Sequence, residues 1–178
     1  MGGHGVGCAG GREPAWPHRL WRRKLTRVFR ILRKPYSAKP FDGEGAYRFG
    51  GRWSSSGTRL VYTAEHLSLA MLEYFVHLDQ DDLPKDLVLA VAEIPAGVSR
   101  LSVAPRRLPA DWRQHPAPPA LAAIGDAFAQ QCRAAVLIVP SALAPPESNW
   151  LINPQHPEFP RIRVHPPEPF HYDSRFSA

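Results

Sequence analysis

The chain has two cysteines, Cys8 and Cys132, in 178 residues. Two thiols cannot build a disulfide framework, and no C-x-x-C pair offers a zinc site. The eight histidines are scattered, with His66 and His77 eleven apart, so no metal centre is expected. No apolar run approaches the ~20 residues that span a bilayer. The Gly-rich, basic N-terminus lacks the apolar h-region of a secretory signal, and the chain reads as cytoplasmic with no membrane partner. No G-x-x-x-x-G-K cradle is found, nor a G-x-G-x-x-G that opens a helix. The G-x-S-x-G elbow of a serine hydrolase is missing too. Any nucleotide must be held by some other arrangement.

What is abundant is proline, with 20 residues, and positive charge, with a formal net of +6. That charge is uneven. Residues 1–40 hold ten Lys or Arg against Glu13 alone, whereas residues 41–178 hold twelve against fifteen Asp or Glu. The basicity therefore belongs to an N-terminal arm, residues 1–27, and not to the body, residues 28–178. Trp16 and Trp21 lie among the basic residues, a pattern that suits nucleic acid. A mobile arm is the preferred reading, and nucleic acid is not expected as a partner. The body is one domain, long enough to bury a core.

Chemistry concentrates in residues 47–78, YRFGGRWSSSGTRLVYTAEHLSLAMLEYFVHL. Gly50 and Gly51 permit positive φ or close approach to a ligand. Arg52 then emerges from a tight turn, where its guanidinium fork suits phosphate or carboxylate. Leu60–Thr63 reads as a strand. A helix over 64–78 is predicted, with Thr63 as its N-cap and Leu67, Met71, Tyr74, Phe75 and Leu78 as a buried stripe. Glu73 lies roughly 200° around the helix from Met71. It falls among Leu69, Ala70, Val76 and His77, on a half-apolar face where a carboxylate needs a partner or a ligand.

Several short motifs, in this order and spacing, resemble the RES domain, a family of bacterial toxins from type II toxin–antitoxin pairs. They are Arg30 in F-R-I, G-G-R-W at Gly50–Trp53, V-Y-T-A at Val61–Ala64 and Leu72-Glu73. Val139-Pro140-Ser141 and N-W-L-I-N-P at Asn149–Pro154 follow. Ser54 stands where many members carry asparagine. The resemblance implies an α+β fold, a single ADP-ribosyltransferase-like domain with a split, twisted sheet flanked by helices. It implies cleavage of the nicotinamide bond of NAD, with NAD as substrate and no metal. Arg30, Tyr62 and Glu73 carry over as the catalytic set. Loss of nicotinamide leaves positive character on the ribose carbon, which Glu73 would stabilise. Arg52 and Arg30 would neutralise the pyrophosphate, with Arg48 an alternative to Arg52. Tyr62 would stack on nicotinamide or its ribose, Tyr47 on a ring of NAD, and Ser141 would hold a ribose hydroxyl or phosphate. A cognate antitoxin is implied as partner, and a host protein as ADP-ribose acceptor. Water or inorganic phosphate as acceptor, giving an NAD glycohydrolase or phosphorylase, remains the alternative, followed by a nuclease toxin or a non-catalytic binding module.

The rest of the chain frames this stretch. Strands are predicted at Val28–Leu32, Leu87–Ile94, Val98–Val103, Ala134–Val139 and Arg161–Val164. Residues 34–49 read as a loop, 105–119 as irregular, and 165–178 as a polar tail. Ala120–Arg133 reads as a helix with Leu121, Ile124, Phe128 and a buried Cys132 on one stripe. Asn149 and Asn153 read as structural amides.

Overall fold

The structure, a computed structural model, describes residues 25–79 and 83–176. Of the arm set at residues 1–27, residues 1–24, with Cys8, Trp16 and Trp21, lie outside the described residues, as do residues 80–82, whereas residues 25–27 open the first strand. The described residues form strands β1 Leu25–Arg33, β2 Val61–Ala64, β3 Leu87–Pro95 and β4 Arg100–Ser102, then β5 Val136–Pro140, β6 Ser148–Ile152, β7 Arg163–Val164 and β8 Glu168–Phe170. The helices are α1 Glu44–Phe49, α2 Leu67–Phe75 and α3 Pro119–Gln131. No helix among them is long and apolar enough to cross a membrane. All eight strands join one sheet in the order β4-β5-β6-β2-β1-β3-β7, with β8 on the same edge of β3 as β7. Only β4 and β5 run parallel; α3 lies in the connection between them.

This sheet must curl. In the strand order β4 stands five places from β3, a distance of about 24 Å across a flat sheet. Yet only residues 96–99 join them, and the step from Pro95 to Arg100 reaches at most about 18 Å. Arg100 fastens the closure: it donates to the carbonyls of Ile94 (3.1 Å) and Pro95 (2.9 Å), and its guanidinium lies 5.2 Å from the Trp150 ring. One buried cluster fills the concave side. It draws Val28 and Leu32 from β1, Ala90, Ala92 and Ile94 from β3, and Val136, Trp150 and Ile152 from β5 and β6. The split is legible in the pairing. β1 and β3 match over nine residue pairs, but β1 meets β2 in register only at Phe29 and Ala64.

The convex side carries α2 and α3. On α3, Leu121 and Phe128 pack with Leu137, Val139 and Leu151, together with Trp53 and Leu60. Leu69 and Ala70 of α2 cover Ala64 and Phe29.

The helix predicted from Ala64 starts three residues later. Thr63 and Ala64 pair with Trp150 and Asn149 of β6, and the Thr63 hydroxyl donates to the Trp150 carbonyl at 2.6 Å. The ladder thus claims the residue predicted as N-cap; His66 occupies that position. The buried face of α2 is also rotated from expectation. Leu69 and Ala70 are its buried residues, while Leu67, Met71, Tyr74, Phe75 and Leu78 are only half-buried. What covers that second stripe is the segment predicted as a polar tail. It contains β8, and Tyr172 and Phe176 pack their rings on Phe75 at 5.5 and 5.3 Å. The predicted loop 34–49 holds α1, which Gly43 (φ 72°) opens and Gly50 (φ 68°) closes. Cys132 is half-buried, not buried. It ends α3 in the left-handed conformation, at φ 49°.

Candidate active site

Glu73 projects from the α2 face that Leu69 and Ala70 bury, one turn further along. Its Oε1 accepts two hydrogen bonds, from the Ser141 hydroxyl at 2.8 Å and from Asn149 Nδ2 at 2.6 Å. Both donors are neutral. No partner is found for Oε2 among the described residues. Ser141 follows β5 directly and is fully buried. Its hydroxyl oxygen accepts from the backbone N–H groups of Leu143 and Ala144, each at 3.1 Å, which aims the hydroxyl proton at Glu73. Asn149 pairs with Ala64 on one side and Val139 on the other. Asn149, expected as a structural amide, holds a carboxylate instead. Nothing local marks it as a carboxylate partner, because that role arises only when β6 lies between β2 and β5. Asn153 does act structurally: it is buried, donating to the Ala129 carbonyl and accepting from Gln155 N.

The G-G-R-W turn is clamped from two sides. From β2, the Tyr62 hydroxyl accepts from Trp53 N at 3.0 Å and shares a hydrogen bond with Ser54 Oγ at 2.9 Å. A Cβ at Gly51 would stand 2.7 Å from that hydroxyl, so only glycine fits. Burial pushes the Tyr62 phenol up from its ordinary value, with Ser54 and Trp53 pulling back. From α3, Gly125 presses so close that a Cβ there would sit 1.7 Å from the Trp53 carbonyl oxygen, and Asp126 accepts from Ser55 N at 3.0 Å. Arg52 leaves this fixed turn and donates through Nη1 to the carbonyls of Trp112 (2.8 Å) and Gln114 (3.1 Å).

The remaining arginines are placed differently. Arg30 leaves β1 on the side opposite Phe29, hence away from α2. Its Nη1 donates to the Pro40 carbonyl at 2.7 Å, and Nη2 lies 3.8 Å from where a Gly45 side chain would begin. Burial lowers its pKa, which nearby Asp42 partly restores. Arg48 is exposed and ion-paired with Glu44 at 2.7 Å. Arg59 takes the other oxygen of Glu44 at 2.5 Å and lies over the Tyr47 ring at 4.3 Å. One face of Tyr47 is thus already occupied. The structure therefore groups Glu73 with Ser141 and Asn149, and Tyr62 with the turn that carries Arg52. Arg30 lies beside α1, and Arg48 and Tyr47 belong to a separate ion-pair cluster. Close by, His66 Nδ1 is 3.0 Å from Glu147, while the Glu65 carboxylate accepts from Ser148 N at 2.5 Å.

Residues 27–173 match the RES domain family model. The chain belongs to the RES domain family. A Sphingobium sp. (strain YBL2) protein named Prs ADP-ribosylating toxin is 38% identical over 144 residues, covering 80% of this chain and 89% of the relative. A protein named Toxin Res from Yersinia enterocolitica is 36% identical over 132 residues, covering 74% and 86%. Among solved structures, the M. tuberculosis MbcT–MbcA toxin–antitoxin complex contains a chain that superposes with a TM-score of 0.67 at 17% identity, covering 82% of this chain and 84% of that one. That likeness establishes a shared fold. The RES domain chain described here thus has the mixed α+β architecture anticipated from its motifs.

Proposed function

We propose that this RES domain protein is the toxin of a type II toxin–antitoxin pair. It breaks the nicotinamide–ribose bond of NAD and transfers ADP-ribose to a host protein. The observation that carries this reading is the Glu73 carboxylate, gripped on Oε1 by Ser141 and Asn149, with no partner for Oε2 among the described residues. As the C–N glycosidic bond breaks, its electron pair leaves with nicotinamide and the ribose carbon becomes electron-poor. A carboxylate fixed by neutral donors keeps its charge for that carbon, the form of preorganised stabilisation that lowers such barriers most. The acceptor's nucleophile then bonds to the ribose carbon and its proton leaves to Glu73 or to water. Arg52, on its clamped turn, answers a phosphate. Tyr62 acts through that turn as a positioning residue, and Arg30 meets the substrate from the side of α1.

Family membership supports the toxin assignment, and the name of the Sphingobium relative supports ADP-ribosylation in particular. The structural neighbour, solved as a toxin–antitoxin complex, supports an antitoxin as partner. The test is mass spectrometry of the purified protein with NAD, with and without host lysate. A lysate protein gaining the ADP-ribose mass is the expected result. Free or phosphorylated ADP-ribose instead would make NAD depletion the toxic act, and untouched NAD in every mixture would overturn the enzymatic reading.

A further inference from the structure

The tripeptide 112–114 joins two arginines. From one side Arg52 Nη1 grips the carbonyls of Trp112 and Gln114. Between them, Arg113 donates through Nε to the Ala142 carbonyl at 3.2 Å. Ala142 is the neighbour of Ser141, whose hydroxyl holds Glu73. A single short loop therefore links the guanidinium of the G-G-R-W turn to the loop beside the carboxylate. Neither Arg52 nor Arg113 has a carboxylate within ion-pair distance among the described residues, whereas Arg48 and Arg59 share the one carboxylate of Glu44. Carbonyl contacts tie Arg52 at two points and Arg113 at one, without cancelling their charge. Among the described residues no partner is found for Nε and Nη2 of Arg52 or for Nη1 and Nη2 of Arg113.

We infer that Arg113 is a substrate-binding residue, forming with Arg52 a two-guanidinium clamp for the pyrophosphate of a dinucleotide whose reacting ribose lies against Glu73. The inference rests on the proposed NAD reading and adds a residue that no motif in the sequence singled out. Two guanidiniums match the two negative charges of a pyrophosphate, and each offers N–H groups for charge-assisted hydrogen bonds. Because Arg52 is held by two carbonyls beforehand, little of its rotamer freedom is lost on binding.

The test compares Arg113→Gln, Arg113→Lys and Arg113→Ala with the unaltered protein, in NAD turnover and in calorimetric binding of ADP-ribose. Gln can still donate to the Ala142 carbonyl but carries no charge. Arg113→Gln should raise the KM for NAD and the Kd for ADP-ribose about tenfold while kcat changes much less, and Lys should recover part of the loss. The salt dependence of KM should also flatten in Arg113→Gln, since one screened contact is gone. If Arg113→Gln keeps full affinity and the full salt dependence while Arg113→Ala loses turnover, the residue merely supports the Ser141 loop and the inference is overturned. If the unaltered protein leaves NAD intact yet binds ADP-ribose in an Arg113-dependent way, the clamp stands and the proposed reaction falls. No binding of ADP-ribose by the unaltered protein overturns both.

Discussion

Glu44 on α1 and Glu73 on α2 are held in opposite ways. Glu44 sits between Arg48 and Arg59, one guanidinium on each oxygen. Its hydrogen bond to Arg48, followed by that to Arg59, holds its carboxyl below the usual carboxylate range. Glu73 meets no cation among the described residues: two neutral donors share one of its oxygens. The first arrangement cancels charge and ties a short helix to the segment before β2. The second fixes a carboxylate in place and leaves its charge uncancelled. A carboxylate that must answer a developing positive charge has to be of the second kind, and a carboxylate with structural work can be of the first.

The sharpest way to break this contrast is to remove each charge in turn. Glu73→Gln should lower NAD consumption about 100- to 1,000-fold, the range seen when a preorganised electrostatic group is lost. Its melting temperature should stay close to that of the unaltered protein. An equal loss of turnover in Glu44→Gln would erase the distinction. Ser141→Ala comes next. It frees Glu73 from one donor and strands the Leu143 and Ala144 N–H groups, so turnover should fall about 10- to 100-fold and stability by about 1–3 kcal/mol, read from turnover assays and denaturant melts. Asn149→Ala removes only the other donor, and a kcat loss of about tenfold with little change in KM is expected from steady-state kinetics. The smallest effect belongs to Glu44→Gln, with turnover within about twofold of normal. Its signature lies in acid. Glu44 has a depressed folded pKa, so its stabilisation is present above the unfolded carboxylate value and is lost as pH falls through the folded one. Melting temperatures of the two proteins should therefore differ at neutral pH and converge at low pH.

The same contrast shows what a sequence reveals. The G-G-R-W turn, β3, β5 and the α3 stripe all announce themselves, because their signals are local: glycine conformation, apolar runs and a 3.6-residue period. Even the separate face of Glu73 follows from helix geometry. The extent of α2 does not. Thr63 and Ala64 have the look of a helix start, and only pairing with β6 makes them strand. Asn149 stayed hidden for the same reason, since its amide acquires a carboxylate through strand register. The pairing of Arg48 with Glu44 can be read at i, i+4 spacing, but the second claim on Glu44, by Arg59, comes from fifteen residues away. Arg113 carries no local signal at all: its neighbours become Arg52 and the Ser141 loop only through tertiary contact.

The contact from the Tyr172 hydroxyl to the Met71 carbonyl, 2.7 Å long, joins positions 101 residues apart. A ribosome adding about 5–20 residues per second takes about 5–20 s between the two. Throughout that interval the helix bearing Glu73 has been made, but the aromatic cover of its second stripe has not. The order of synthesis thus sets a delay between making the Glu73 carboxylate and locking its helix, during which a nascent toxin is not yet fully built.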